Sequence, residues 1–168
     1  MTAAERLSSL AEGSDPSLVL KLKSGFAVMS PTQFLQGYCL LLAFPEVQTL
    51  NDLPVEMRMT FLMDMAAIGD AVQRATNCAR VNYGIYGNLD RFLHAHIVPR
   101  YDHEEFPHCV LPPHSYPQEI REDPENQFET MTHGKLLAAI RLHLMDLGER
   151  HHSFTHHNPA HDHRHHSI

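Results

Sequence analysis

An α+β fold with a mostly antiparallel sheet, one long helix and a C-terminal helix follows from three features of the chain. Short apolar runs bounded by Gly, Pro and Ser come first, a long helical repeat of apolar residues interrupts them, and a second helical repeat closes the patterned part. The 168 residues suit one domain with extensions, and an apolar share of 43% supplies a core.

Residues 4–11 predict a short amphipathic helix ended by Gly13 and Pro16, within an N-terminal extension over 1–17. LVLKLK (18–23) alternates as a strand does, Ser24-Gly25 turns the chain, and 26–29 is a second strand. After a crossing stretch, YCLLLAF (38–44) is apolar enough to be a strand buried on both faces. Pro54 then opens a helix that runs to Thr76, with Phe61, Met65, Ile68 and Val72 on one face. The methionines of MRMTFLMDM fit that helix as core. Strands are expected at 80–86 and 92–98, the latter ending before Pro99. Residues 101–127 are rich in Pro, His and acidic side chains without periodicity and predict a wrapping loop. The second helix spans 130–147, with Leu136, Leu137, Ile140, Leu144 and Leu147 on its apolar face. The main domain is thus 18–149, and 150–168, with eight of the fifteen histidines, predicts a disordered His-rich tail.

Composition narrows the function classes. A formal charge of −7 argues against partners such as nucleic acid or an anionic membrane, while leaving room for a small phosphorylated ligand. Three cysteines, Cys39, Cys78 and Cys109, without a CxxC pair, fit a reducing cytosol and suggest neither a disulfide framework nor a zinc site. The polar start MTAAERLSSLAEGSD does not read as a signal peptide, and no apolar run reaches the roughly 20 residues of a membrane span. A cytoplasmic protein is expected.

The informative stretch is NYGIYGNLDRFLHAHIVPRY (82–101). Side chains alternate along a strand, so Phe92, His94, His96 and Val98 share one face, and Leu93, Ala95 and Ile97 pack behind them. Two neighbouring imidazoles on a rigid strand admit three readings: structural histidines, half of a metal chelate, or a histidine nucleophile. The metal reading needs a further ligand, and the neighbouring sequence offers no obvious one.

FLHAHIVPR after a YGN turn resembles the HφHφHφφ signature of the histidine triad (HIT) family, which in its dinucleoside polyphosphate hydrolase branch continues into Pro-Arg. On Pro99-Arg100, His94 matches the family's middle histidine, the nucleophile, and His96 its third; Phe92 occupies the first position. FAVMSPTQFLQGYCLLLAFPEVQTLNDLP resembles the family's N-terminal pattern, with Gly37 on its glycine and Tyr38 where histidine is common. Ser30 falls where the family places a ribose-contacting Asn or Asp. Asn88 and, across a one-residue gap, Asn82 match amide side chains that meet substrate. The resemblance covers 18–101.

It implies a HIT-like fold, a homodimer, and a hydrolase or transferase. Such an enzyme would cleave at the α-phosphate of a dinucleoside polyphosphate or nucleoside phosphoramidate through a nucleotidyl-histidine. His94 and His96 would be catalytic, with Asn88, Asn82 and Ser30 binding substrate. No cofactor or metal would be held by protein ligands, although substrate phosphates travel with Mg²⁺. Two alternatives stand beside it: a nucleotide-binding module whose turnover went with the first histidine, and a metal-handling protein working through the tail. Arg100 is expected as a surface or inter-subunit charge, and His103, His108, His114 and His133 as solvent-exposed.

Overall fold

The computed structural model describes the backbone of residues 2–156 and the side chains of residues 2–148. The first element is α1 (Ala3–Ala11), started by a capping box in which Thr2 accepts from the Glu5 amide and Glu5 accepts from the Thr2 amide. Five strands follow in one antiparallel sheet: β1 (Leu18–Lys21), β2 (Gly25–Met29), β3 (Cys39–Ala43), β4 (Arg80–Gly84) and β5 (His94–Arg100). Their spatial order is β1-β2-β3-β5-β4. The α+β class with an antiparallel sheet is therefore as the sequence predicts. Gly37 stands before β3 with φ of 101°, a left-handed backbone suited to glycine.

Two long helices pack on one side of the sheet, α2 (Val55–Thr76) and α4 (Thr130–His156). Asn77 closes α2 in the left-handed conformation. The apolar spacing holds for Phe61, Ile68 and Val72 of α2 and Leu137, Ile140 and Leu144 of α4, buried together with Leu41, Ala95 and Ile97 of the sheet and Leu93 just before β5, but of the methionines expected as core Met59 and Met63 point outward, exposed. On the opposite side, α1 lays Leu7 and Leu10 over Phe26, Val28, Leu40 and Leu42. That cover stops at β3. Over β5 and β4 the second face carries His94 and His96, half-buried.

Several boundaries differ from expectation, with β1 and β4 each ending two residues early, at Lys21 and Gly84. β5 begins two residues later than 92 and runs through Pro99 to Arg100. Its pairing with β3 ends at Cys39↔Ile97, so Pro99 has only β4 as a neighbour and its missing N–H costs little there. α4 continues past 147 to His156 and takes in the first residues of the expected tail. The rest of that tail, 157–168, and its metal-handling reading lie outside the described residues. No helix of the described residues is long and apolar enough to cross a membrane.

The stretch 101–127 wraps the second face through short helical turns, among them α3 (Gln118–Arg121). Arg100 fastens it, and here the expectation of a surface charge is corrected. Arg100 is only 8% exposed. Its guanidinium meets the Glu104 carboxylate at 3.0–3.2 Å, Asn82 Oδ1 at 2.8 Å, and the carbonyls of Leu111 and His108 at 2.7 and 2.8 Å. Glu104 also accepts from the Tyr116 hydroxyl and the Tyr101 amide. Burial pushes the Glu104 carboxyl up, but the hydrogen bonds from Arg100, Tyr116 and Tyr101 and the Arg100 charge together hold it below its usual range. His133 is likewise buried rather than exposed, stacked on Phe128 and accepting from the Glu129 amide at 3.0 Å. His108 is half-buried against the Tyr116 ring, while His103 and His114 are exposed as expected.

Removing one partner of this pair strands the other charge in the interior. Arg100→Met is expected to lower the unfolding free energy by about 3–5 kcal/mol. Equilibrium urea denaturation of the variant against the parent measures it, and a change below about 1 kcal/mol would contradict the buried-anchor description.

Candidate active site

β5 presents its two histidines by simple pleating. His94 stands opposite Leu42 of β3, and His96 opposite Leu40 on one side and Gly84 of β4 on the other. Leu93, Ala95 and Ile97 alternate with them into the core, so the backbone under the imidazoles is pinned from behind. The rings meet edge to face with centroids 5.0 Å apart.

Each histidine is held by a different kind of partner. His94 Nδ1 lies 2.8 Å from the Phe92 carbonyl oxygen. A carbonyl can only accept, so this ring nitrogen carries the proton, and in the neutral ring the lone pair is left on Nε2. The Phe92 ring stacks on the same imidazole at 4.8 Å and 28°. His96 Nδ1 meets the Tyr38 hydroxyl at 2.5 Å. Burial, first of all, pushes that phenol up to about 12, against hydrogen bonding from Ser30 and the Arg121 charge, with Tyr86 adding to the rise. The phenol is therefore a protonated donor. Burial, and then electrostatic repulsion from the neighbouring His94 ring, hold His96 down at about 4, so this ring is neutral. With Tyr38 donating into Nδ1, the His96 proton sits on Nε2. The pair thus offers a lone pair at one ring and an N–H at the other.

Two clefts flank the pair. One, of about 620 Å³, is lined by His94 and Ser30, with Leu42, Phe92 and the start of α1 as walls. The other, of about 1060 Å³, is lined by Asn82, Asn88 and Tyr86. His96, Tyr38, Thr32 and Arg121 border both. Of the residues the sequence singles out, Ser30, His94 and His96 therefore come together around the first cleft. Asn88 and Asn82 stand on the far side of His96, and the Oδ1 of Asn82 is already committed to Arg100. Ser30 is buried, and its hydroxyl supports Tyr38. Among the described residues, no group of three or more His, Cys, Asp or Glu side chains is gathered to hold a metal ion.

Sequence reasoning noted Tyr38 only as a substitution for histidine, and Arg121 not at all. A phenol opening a buried strand was the available signal for the first. Nothing in the aperiodic 101–127 marks the second.

The low value for His96 has a consequence for stability. Its unfolded value is near 6.5 and its folded value about 4. Between these the unfolded chain binds a proton that the folded chain refuses, so acid favours unfolding across that window. The ring keeps contact with water in the clefts, which limits the expected loss to about 2 kcal/mol between pH 7 and 4. Denaturant unfolding of the parent and of His96→Gln at both pH values measures it. The variant should lose correspondingly less, and parallel losses would show that His96 is not the group concerned.

No protein-family model matches the chain, and no curated protein does. Solved structures do. A histidine triad protein from Sinorhizobium meliloti 1021 superposes with a TM-score of 0.64 at 16% identity, covering 75% of this chain and 87% of that one. A histidine triad protein from Bradyrhizobium japonicum gives 0.62 at 18%, covering 76% and 89%. A hypothetical histidine triad nucleotide-binding protein from Sulfolobus tokodaii strain7 gives 0.65 at 13%, covering 86% and 93%. At these identities the likeness is one of fold, and the fold of this chain is that of the histidine triad proteins.

Proposed function

We propose that the chain is a nucleotide-binding hydrolase or transferase of the histidine triad type, of the branch that cleaves dinucleoside polyphosphates or nucleoside phosphoramidates. The observation that carries this is the complementary pair on β5: His94 with Nδ1 on a carbonyl, and His96 with Nδ1 on a phenol. The Sulfolobus neighbour's description as a nucleotide-binding protein agrees with it.

The reaction follows from the two ring states. The Nε2 lone pair of His94 attacks the α-phosphorus and forms a P–N bond. The P–O or P–N bond to the leaving group breaks and its electron pair departs with that group. Neutral imidazole suits an anionic phosphorus because it brings no negative charge to it. As charge gathers on the non-bridging oxygens, the Nε2–H of His96 donates to them, and the amide of Asn88, in the larger cleft, would donate to phosphate oxygens of the departing group. Water or another acceptor then takes the phosphorus, and the pair returns to His94 Nε2. Ser30 would border the ribose, and Mg²⁺ would arrive with the substrate phosphates. The compartment we assign is the cytoplasm.

His94→Ala should lower turnover of a diadenosine polyphosphate or a fluorogenic adenosine phosphoramidate by roughly three powers of ten or more, with AMP affinity little changed. His96→Ala should cost roughly one to two powers of ten. The intermediate is stable to base, so rapid alkaline quenching followed by intact-mass measurement should show one added nucleotide monophosphate, mapped to His94. Tight AMP binding with no turnover by the parent would establish the binding-only module instead.

A second copy of this chain is the partner we assign to the outer face of α2 and the edge strand β4. Val55, Met59 and Met63 recur along α2 at 60–65% exposure, and the edge strand β4 leaves Tyr83 at 44%. Sedimentation velocity at micromolar concentration should show a dimer, and Met59→Glu with Met63→Glu should dissociate it. A monomeric parent would overturn the assignment.

A further inference from the structure

Arg121 closes α3 on the rim shared by the two clefts, beside Tyr38 and His96. Its backbone and its side chain are both fixed. The hydroxyl of Thr32 and the side-chain amide of Gln127 donate to its carbonyl at 2.6 and 3.2 Å, and its own Nε donates to the Tyr116 carbonyl at 3.0 Å. Thr32 and Gln127 are themselves bridged backbone to backbone. The two terminal nitrogens are different: among the described residues they have neither a hydrogen-bond partner nor a carboxylate. Of the other arginines bordering the clefts, Arg100 meets Glu104 and Arg6 meets Asp15, whereas Arg80 and Arg91 are exposed and, among the described residues, have no side-chain bond that fixes them. A half-buried guanidinium, oriented by one hydrogen bond on a backbone held by two more and lacking a counter-ion, is a site arranged for an anion.

Its place between the clefts says which anion. In the function proposed above, on which this inference rests, the ribose and α-phosphate lie with Ser30 and His94 in the smaller cleft. The departing group then crosses the rim into the larger one. We propose that Arg121 is a substrate-binding residue that holds the leaving phosphate. The preferred substrate is then a nucleotide joined by a phosphoanhydride to a second charged group, rather than a phosphoramidate of a neutral amine. The chemistry distinguishes the two. When the phosphoanhydride P–O bond breaks, the bridging oxygen keeps the pair and the leaving phosphate gains a negative charge for Arg121 to meet. When a phosphoramidate P–N bond breaks, the nitrogen takes up a proton and leaves as an amine with no such charge.

The test compares Arg121→Gln and Arg121→Lys with the parent on diadenosine tetraphosphate and on a fluorogenic adenosine phosphoramidate, with circular dichroism checking the fold. Arg121→Gln should lose roughly 10- to 100-fold in kcat/KM on the tetraphosphate, the worth of a charged hydrogen bond, and at least tenfold less on the phosphoramidate. Arg121→Lys should restore part of the loss on the tetraphosphate alone. Equal losses on both substrates, with His94→Ala inactive, would overturn the role of Arg121 and leave the proposed function standing. If the parent turns over neither substrate, affinities for AMP and ATP decide. The parent should bind ATP about tenfold or more tightly than AMP and Arg121→Gln should not, whereas equal affinities in the parent overturn the proposal. A parent that binds no nucleotide overturns both the proposed function and this inference.

Discussion

Because side chains alternate along β5, the stretch that pins the sheet to α2 and α4 also decides where His94 and His96 stand. Leu93, Ala95 and Ile97 are closed into the core, at 2%, 0% and 0% exposure. Slipping the strand by one residue would put the imidazoles among Phe61, Ile68 and Ile140 and turn those three side chains outward. The cost of that exchange, three apolar side chains lost to water and two rings buried without partners, makes the register nearly unique. The position of the chemistry is thus a by-product of ordinary core packing. The open second face follows from the same sheet, because α1 covers β2 and β3 and stops short of β5.

The polar side of the strand obeys a stricter condition. A half-buried imidazole is costly when charged and costly when its ring nitrogens lack partners. The molecule meets both conditions with one acceptor and one donor, the Phe92 carbonyl for His94 and the Tyr38 hydroxyl for His96. The contact to His94 comes from the backbone, so it does not depend on which side chain residue 92 carries. A phenylalanine in the family's first histidine position therefore leaves the orientation of His94 intact, and its ring adds a stacking surface. The burial that keeps His96 neutral also keeps Tyr38 protonated, so one environment sets both ends of that hydrogen bond.

The parts of the fold that repeat were legible in the chain. The alternation at 93–97, the spacing of Phe61, Ile68 and Val72, and the run CLLLA each state burial directly, and the elements appear where those patterns lie. The placing of the HxH pair on one face was legible because a strand fixes side-chain direction locally. Arg100 and His133 were misread for a common reason. Each is polar, and what removes it from solvent is a partner distant in sequence or a helix start that periodicity does not describe: Glu104 and the 108 and 111 carbonyls for Arg100, Phe128 and the Glu129 amide for His133. Arg121 belongs to a stretch of turns, where only the folded chain reveals that Thr32 and Gln127 hold it.

The buried ion pair between Arg100 and Glu104 gives that stretch its order. Such a pair adds little net stability over apolar residues of the same shape, because desolvation consumes most of the attraction. Its effect here is one of position. One guanidinium satisfies two carbonyls of the wrapping segment and the Asn82 amide oxygen, while Glu104 takes the Tyr116 hydroxyl. Tyr116 in turn offers its carbonyl to Arg121. A line of hydrogen bonds therefore runs from the end of β5, through the pair, to the rim between the clefts. An apolar replacement would bury the same volume without specifying where Tyr116 sits. The segment that shows no periodicity in sequence is thus placed by polar contacts as definite as those of the sheet, and it is carried back over the histidines by the very strand that bears them.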